Sequence, residues 1–355
     1  MAPIATHARC TCAAHEPFVP TVIQRRDPGP GDVVIEIAFC GICHTDIHYA
    51  HDEFGRTTYP LIPGHEIAGI VSAVGSGVTR FALGDRAGVG VMVDSCRECA
   101  SCRAGLEQYC TGRRSLTYNA IGRDGQITYG GYSQRIVVDE NYVVRIPQAL
   151  PLENAAPLMC AGITMYSPLR HWNAGPGKRV GIIGFGGLGH LGVQIARALG
   201  AEVTVFDLDE GKRADALRLG ASDFRLASDP QMFRDLASSL DLIVSTVPVG
   251  IDMDAWLGLL AVNGALVNTG VPEKPLSVAA TSLLNNRRSI SGTRSGGIAE
   301  IQQMLDFCAG HGIRAEIEVI HADRIDEAFA RILRGDVRFR FVIDTATLAP
   351  AELPR

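Results

Sequence analysis

The sequence lacks any excess of positive charge. Lys and Arg total 33 against 38 Asp and Glu, a formal net charge of −5. That balance argues against nucleic acid or an anionic membrane surface as a partner. A long apolar run is missing as well. The nearest approach to a membrane span, Val180 to Ala196, is shorter than the ~20 residues a span needs. It is also rich in glycine and bounded by Lys178-Arg179 and Arg197. The segment from Met1 to Cys10 holds no apolar stretch of signal-peptide length, so a cytoplasmic location is expected. Repeats, heptad runs and low-complexity tracts are absent. With 46% apolar and 20% charged residues over 355 positions, the composition is that of an ordinary globular chain of about two domains. Such a chain can bury its core without disulfides.

Against these absences stand ten cysteines, six of them clustered as Cys40/Cys43 and Cys96/Cys99/Cys102/Cys110. In a chain without an export signal, clustered cysteine reads as metal binding rather than as a disulfide framework. Cys96, Cys99, Cys102 and Cys110 form a C-x2-C-x2-C-x7-C pattern. Four thiolates at that spacing can close tetrahedrally around one Zn²⁺ and leave no position for water, which makes the site structural. An iron–sulfur cluster fits less well, because the x7 gap and the missing C-P ending depart from the ferredoxin run.

The texture of the chain changes near residue 150. The first third is β-rich, with apolar runs at Asp32–Ala38 and Ile67–Val74 ended by turn residues, and further strands at Tyr132–Val138 and Val143–Pro147. Leu152 to Leu169 reads as a helix kinked at Pro157. From Arg179, strands at Val180–Ile183, Glu202–Phe206, Leu242–Thr246 and Gly264–Asn268 alternate with helices at Leu188–Leu199, Lys212–Leu219 and Trp256–Leu260. This alternation predicts a parallel sheet wound by helices. After residue 296 come a helix (Ala299–Cys308), a strand (Ala315–Ile320), a helix (Ile325–Arg334) and a strand (Arg340–Ile343), which are expected to return to the first domain.

Gly184-Phe185-Gly186-Gly187-Leu188-Gly189 fits G-x-G-x-x-G between a strand and a helix. Its glycines allow a tight turn and a close approach of backbone N–H groups to a pyrophosphate at a helix N-terminus. The second strand ends in Asp207, 18 residues past Gly189. A carboxylate there accepts hydrogen bonds from ribose hydroxyls and repels a 2′-phosphate, which favours NAD over NADP. Lys212 and Arg213 follow, either as partners for a 2′-phosphate or as a solvated helical turn.

Three further pieces complete the pattern: Cys40-Gly-Ile-Cys43-His44-Thr45-Asp46-Ile47-His48, Gly64-His65-Glu66 and Cys160-Ala-Gly-Ile-Thr164. With the four-cysteine lobe, the glycine-rich turn and the ending Val337-Arg-Phe-Arg-Phe-Val-Ile-Asp344, the sequence resembles the zinc-dependent medium-chain alcohol dehydrogenases, most closely their cinnamyl-alcohol-dehydrogenase-like branch. The resemblance spans nearly the whole chain. It implies an α/β fold, a Rossmann doubly wound parallel sheet plus a β-rich GroES-like catalytic domain. The domains would be 1–160 with 297–355 (catalytic, with a zinc lobe at 94–112) and 161–296 (NAD-binding).

The resemblance also implies two Zn²⁺ per chain. Cys43, His65 and Cys160 would hold the catalytic ion, with Glu66 ligating when substrate and water are absent and Asp46 orienting His65. Thr45 would take the alcohol proton and pass it by way of the nicotinamide ribose to His48, for exchange with solvent. His44 and Arg340 would contact the pyrophosphate. Thr164 would buttress the nicotinamide. Val247, Gly270, Val271 and Thr293 lie where strand-end loops should meet the cofactor.

Tyr49, Phe54 and Val91 are expected to line an apolar pocket, and no basic group stands ready for a charged substrate. Uncharged primary alcohols and aldehydes are therefore the expected substrates. Ser115, five residues past Cys110, replaces the large aromatic typical of lignin-type enzymes. Competing readings are a polyol dehydrogenase of the same superfamily, an NAD-sensing scaffold and a nucleic-acid-binding zinc ribbon. The intact Cys43/His65/Cys160 set and the net charge argue against them. The resemblance further implies a homodimer, its sheets continuing through strands near Gly264–Val271 and Ser289–Ser291.

Overall fold

The protein is described by a computed structural model covering residues 4–272 and 274–348. The outermost residues of the expected catalytic domain, 1–3 and 349–355, lie outside the described residues. The chain separates into two compact units, Met1–Cys160 with Gly296–Arg355, and Ala161–Ser295.

The first unit is built on a mixed sheet. Its path runs through Ile317–His321, Arg340–Asp344, Asp32–Gly41, Ile67–Val74, Arg86–Val89 and Val144–Arg145, and Arg135–Asp139 also pairs with Asp32–Gly41. The central strand, Asp32–Gly41, is apolar along most of its length because both its edges are paired and most of its side chains are buried. Arg340–Asp344 joins it antiparallel, with Ile343 opposite Cys40. This pairing places the strand Arg340–Asp344 in the first unit.

An antiparallel pair, Ile4–Cys10 with Val19–Arg25, was not anticipated. Its second strand carries Pro20 at an edge position and mixes Gln and Arg with its apolar residues, so no clean alternation marks it.

The second unit is a six-stranded parallel sheet in the order Asp223–Leu226, Glu202–Asp207, Arg179–Ile183, Leu240–Ser245, Leu260–Asn268, Ser289–Gly292. The order reverses at Arg179–Ile183, which is the Rossmann arrangement. The inner strands are buried runs of Val, Ile, Leu and Phe, as a sheet covered on both faces requires. One layer packs Phe206 edge-on against Trp256 at 5.0 Å, over Ile243, Met253 and Leu266. Two short edge strands, Asp223–Leu226 and Ser289–Gly292, are too polar to stand out in the sequence.

The expected kinked helix at 152–169 is three pieces: an α-turn Leu152–Ala155, a 3₁₀ turn Ala156–Met159 and a helix Ala161–His171. Pro157 withholds a backbone N–H, and Cys160 falls in the break with non-helical φ −126° and ψ −65°.

Candidate active site and zinc lobe

The lobe cysteines converge. Cys96 follows the strand Met92–Asp94, Cys99 caps the short helix Ala100–Arg103 that carries Cys102, and Cys110 follows the turn Glu107–Tyr109. All four sulfurs lie within 4.8 Å of one another. Backbone N–H groups point at them, Cys99 N to Cys96 Sγ at 3.3 Å and Cys96 N to Cys110 Sγ at 3.5 Å. Such donors favour thiolate, and the N–H of Cys102 is the main reason Cys99 falls to about 5. The surroundings are polar rather than apolar: Asp94 accepts from Arg97 and Arg123, and Arg97 also donates to Asp139. A metal ion suits a lobe with so little core of its own.

The second cluster joins three distant segments. Cys43 caps the helix His44–Ala50, and its N–H donates to Asp46 at 2.9 Å. His65 and Glu66 lie on irregular chain just before the strand Ile67–Val74, and Cys160 comes from the break described above. The ligand atoms of Cys43, His65, Glu66 and Cys160 are within 4.8 Å of one another, with the two sulfurs 3.8 Å apart.

His65 turns Nδ1 toward Asp46 at 3.6 Å, while its Nε2 is buried without a partner. Burial alone would lower the imidazole, but Asp46 and the Cys43 sulfur outweigh it and raise it to about 9. The hydrogen bond with Cys160 holds Cys43 well below the usual thiol range and pushes Cys160 up. Glu66 is fully buried; one oxygen accepts from Arg340 and the other has no partner. Burial lifts its carboxyl to about 7 against the pull of that arginine. Two sulfurs, an orphaned imidazole nitrogen and an orphaned carboxylate oxygen form a donor set that fits Zn²⁺.

The other expected residues of this unit are placed as follows. Thr45 and His48 are half-buried on the helix His44–Ala50, and His48 Nδ1 meets Glu53 at 2.5 Å. The His44 ring lies 4.8 Å from that of His48. Arg340 is 6% exposed and directs Nη2 onto Glu66, because a carboxylate buried beside two sulfurs needs a cation. Tyr49 and Phe54 meet edge-to-face at 5.3 Å. Ser115 is buried and donates to Ile121 O, so it is not an open pocket wall.

Some neighbours left no motif in the sequence. Tyr132 donates to Asp46 at 3.3 Å, and Tyr118 stacks on His65. Their signal was only their type, since the contacts join residues far apart in the chain.

In the second unit, Gly184 to Gly189 turn tightly at the carboxyl end of Arg179–Ile183. Gly184 has φ +89°, and a Cβ on Gly189 would sit 2.0 Å from Gly184 O, so only glycine serves at either place. Phe185 N donates to Asp207 Oδ2 at 2.7 Å. Leu188 precedes the helix Gly189–Ala198, and Gly187 lies half-buried before it. Lys212 Nζ pairs with Asp207 at 3.1 Å. Val247 closes over Gly184, and Gly270 packs on Val247 O. Thr293 N donates to Asn268 O, Val271 is exposed, and Thr164 is buried on Ala161–His171. Apart from Thr164, these residues gather at the carboxyl ends of the parallel strands, where such sheets bind ligands.

Residues 29–148 match the family model described as alcohol dehydrogenase GroES-like domain, and 187–310 match zinc-binding dehydrogenase. An NADP-dependent alcohol dehydrogenase C 1 from Mycolicibacterium smegmatis is 59% identical over 96% of this chain and 98% of its own. The chain belongs to the zinc-binding medium-chain alcohol dehydrogenases. The aldehyde reductase YahK of Escherichia coli is 50% identical over 95% of this chain and 97% of its own. A cinnamyl alcohol dehydrogenase structure from Sorghum bicolor superposes with a TM-score of 0.94 at 43% identity, over 97% and 98% of the two chains. Alcohol or aldehyde oxidoreduction with zinc and a nicotinamide cofactor is the activity of this family. Among the described residues, no helix is long and apolar enough to cross a membrane.

Proposed function

We propose that this dehydrogenase interconverts uncharged primary alcohols and aldehydes, aliphatic or aromatic, with NAD(H) in preference to NADP(H). The observation that carries the reading is the convergence of Cys43, His65, Glu66 and Cys160 on one point from three segments. We assign the catalytic Zn²⁺ to Cys43, His65 and Cys160, with Glu66 as an alternate ligand, and the structural Zn²⁺ to Cys96, Cys99, Cys102 and Cys110. Zn²⁺ at the first site supplies Lewis acidity, which acidifies an alcohol and polarises an aldehyde carbonyl.

The protein's own residues do the rest. Asp46 fixes the tautomer and direction of His65. Thr45 accepts the alcohol proton, and His48 exchanges it with solvent, steadied by Glu53. In the second unit, the turn Gly184–Gly189 receives the pyrophosphate. Asp207 meets the adenosine ribose. Its bond to Lys212 occupies the cation that a 2′-phosphate would need, which supports NAD. The M. smegmatis relative is named NADP-dependent, so this chain would differ from it in cofactor.

We assign 1–160 with 297–355 as the catalytic domain and 161–296 as the cofactor domain. A cytoplasmic homodimer, joined at the edge strand Ser289–Gly292, completes the reading. Initial rates with NADH and NADPH on aliphatic, benzylic and cinnamyl aldehydes test it. NADH-linked reduction is expected. No turnover of any aldehyde or alcohol would support an NAD-sensing protein instead.

A further inference from the structure

His65 stands on irregular backbone between Gly64 and the strand at Ile67, so no helix or sheet fixes its side chain. A metal ligand in that position needs its ring plane held from outside. Asp46 supplies one restraint, at the edge of the ring. Asp46 is itself pinned by Cys43 N at 2.9 Å, Gly64 N at 3.2 Å and Tyr132 Oη at 3.3 Å. One edge contact still leaves the imidazole free to tilt about it.

The face of the ring is covered by Tyr118. The two ring centroids are 5.6 Å apart and the planes only 13° from parallel, an offset stack. Tyr118 is 3% exposed and is braced edge-on by Tyr49 at 5.3 Å. Its backbone neighbours are tied on both sides, Thr117 N to Val91 O and Asn119 N to Thr128 O. Its hydroxyl is buried on the side of Asp46 and makes no hydrogen bond of ordinary geometry. The ring is held by its packing against Tyr49 and by these backbone ties.

We infer that Tyr118 is a positioning residue for the catalytic metal: its ring holds the His65 imidazole in the plane that presents Nε2 to the ion. The inference rests on the assignment of zinc to Cys43, His65 and Cys160. Hydrogen-bonded groups that orient a metal ligand are worth about 10- to 100-fold in metal affinity, which sets the scale for a ring that orients the same ligand.

The test is zinc release to a chelator from the zinc-loaded full-length protein and from its Tyr118→Leu, Tyr118→Met and Tyr118→Phe variants. Alkylation of Cys43 against Cys96, mapped by mass spectrometry, assigns each zinc to its site. The leucine and methionine variants should release the zinc that protects Cys43 at least about 10-fold faster, with the zinc at Cys96 unchanged. The phenylalanine variant, which keeps the ring, should stay within about twofold of the parent. The methionine variant carries the comparison if the leucine variant does not fold. Parent-like release in the variants lacking the ring overturns the inference, and so does release from the phenylalanine variant as fast as from theirs. A parent whose Cys43 is unprotected by zinc overturns the underlying metal assignment as well.

Discussion

Arg340 and Glu66 form a buried ion pair that joins the strand Arg340–Asp344 of the first unit to the segment carrying His65. Glu66 is fully buried and Arg340 nearly so, so neither charge has water as an alternative partner. Removing one member strands the other, at a cost of about 3–5 kcal/mol. Arg340→Leu should therefore lower the unfolding free energy from urea denaturation by that amount, seen as a lower midpoint. An unchanged midpoint with a raised KM for NADH would return Arg340 to the pyrophosphate.

Asp207→Ser removes the carboxylate from the end of Glu202–Asp207 and frees Lys212. The ratio of kcat/KM for NADPH over NADH should rise at least about 10-fold, equivalent to one lost or gained interaction of about 1.4 kcal/mol. A parent enzyme that already uses the two cofactors equally would remove Asp207 from cofactor choice.

Cys102→Ser opens the lobe. Zinc should fall by one ion per chain, and thermal unfolding should move down, because the metal replaces a core the lobe does not have. The Ser95 hydroxyl, 3.1 Å from Cys102 Sγ, leaves the new serine with a polar neighbour, so the loss is of the metal and not of local packing. Unchanged zinc content would refute the assignment.

Thr45→Ala takes away the residue we propose as the first proton acceptor. Turnover should drop by about 10²- to 10⁴-fold, while zinc content and NADH binding hold. A near-normal kcat would place the proton path elsewhere.

Much of this was legible because local chemistry marked it. The apolar strands around Gly184 and the four-cysteine spacing each announce themselves within a short stretch of chain. The assignment of Cys43, His65 and Cys160 came from resemblance, since nothing local joins them. Their meeting depends on the pairing of Asp32–Gly41 with Ile67–Val74 and on the helix break at Cys160. Long-range partners were invisible for the same reason. The pairing of Arg340 with Glu66 left no mark because the two are far apart in sequence. Tyr118 and Tyr132 carried no pattern at all. Weak strands such as Val19–Arg25 and Asp223–Leu226 form because neighbours pair with them, despite sequences that advertise little.

We propose that one zinc, held by Cys43, His65 and Cys160, is the seat of catalysis. Zinc per chain and NADH-linked aldehyde turnover, measured together on the parent and on Cys160→Ala, test it most directly. We predict two zinc ions and turnover in the parent, and one zinc ion with turnover lost in the variant. A variant that keeps both ions, or that loses one and still turns over at the parent rate, would contradict the account.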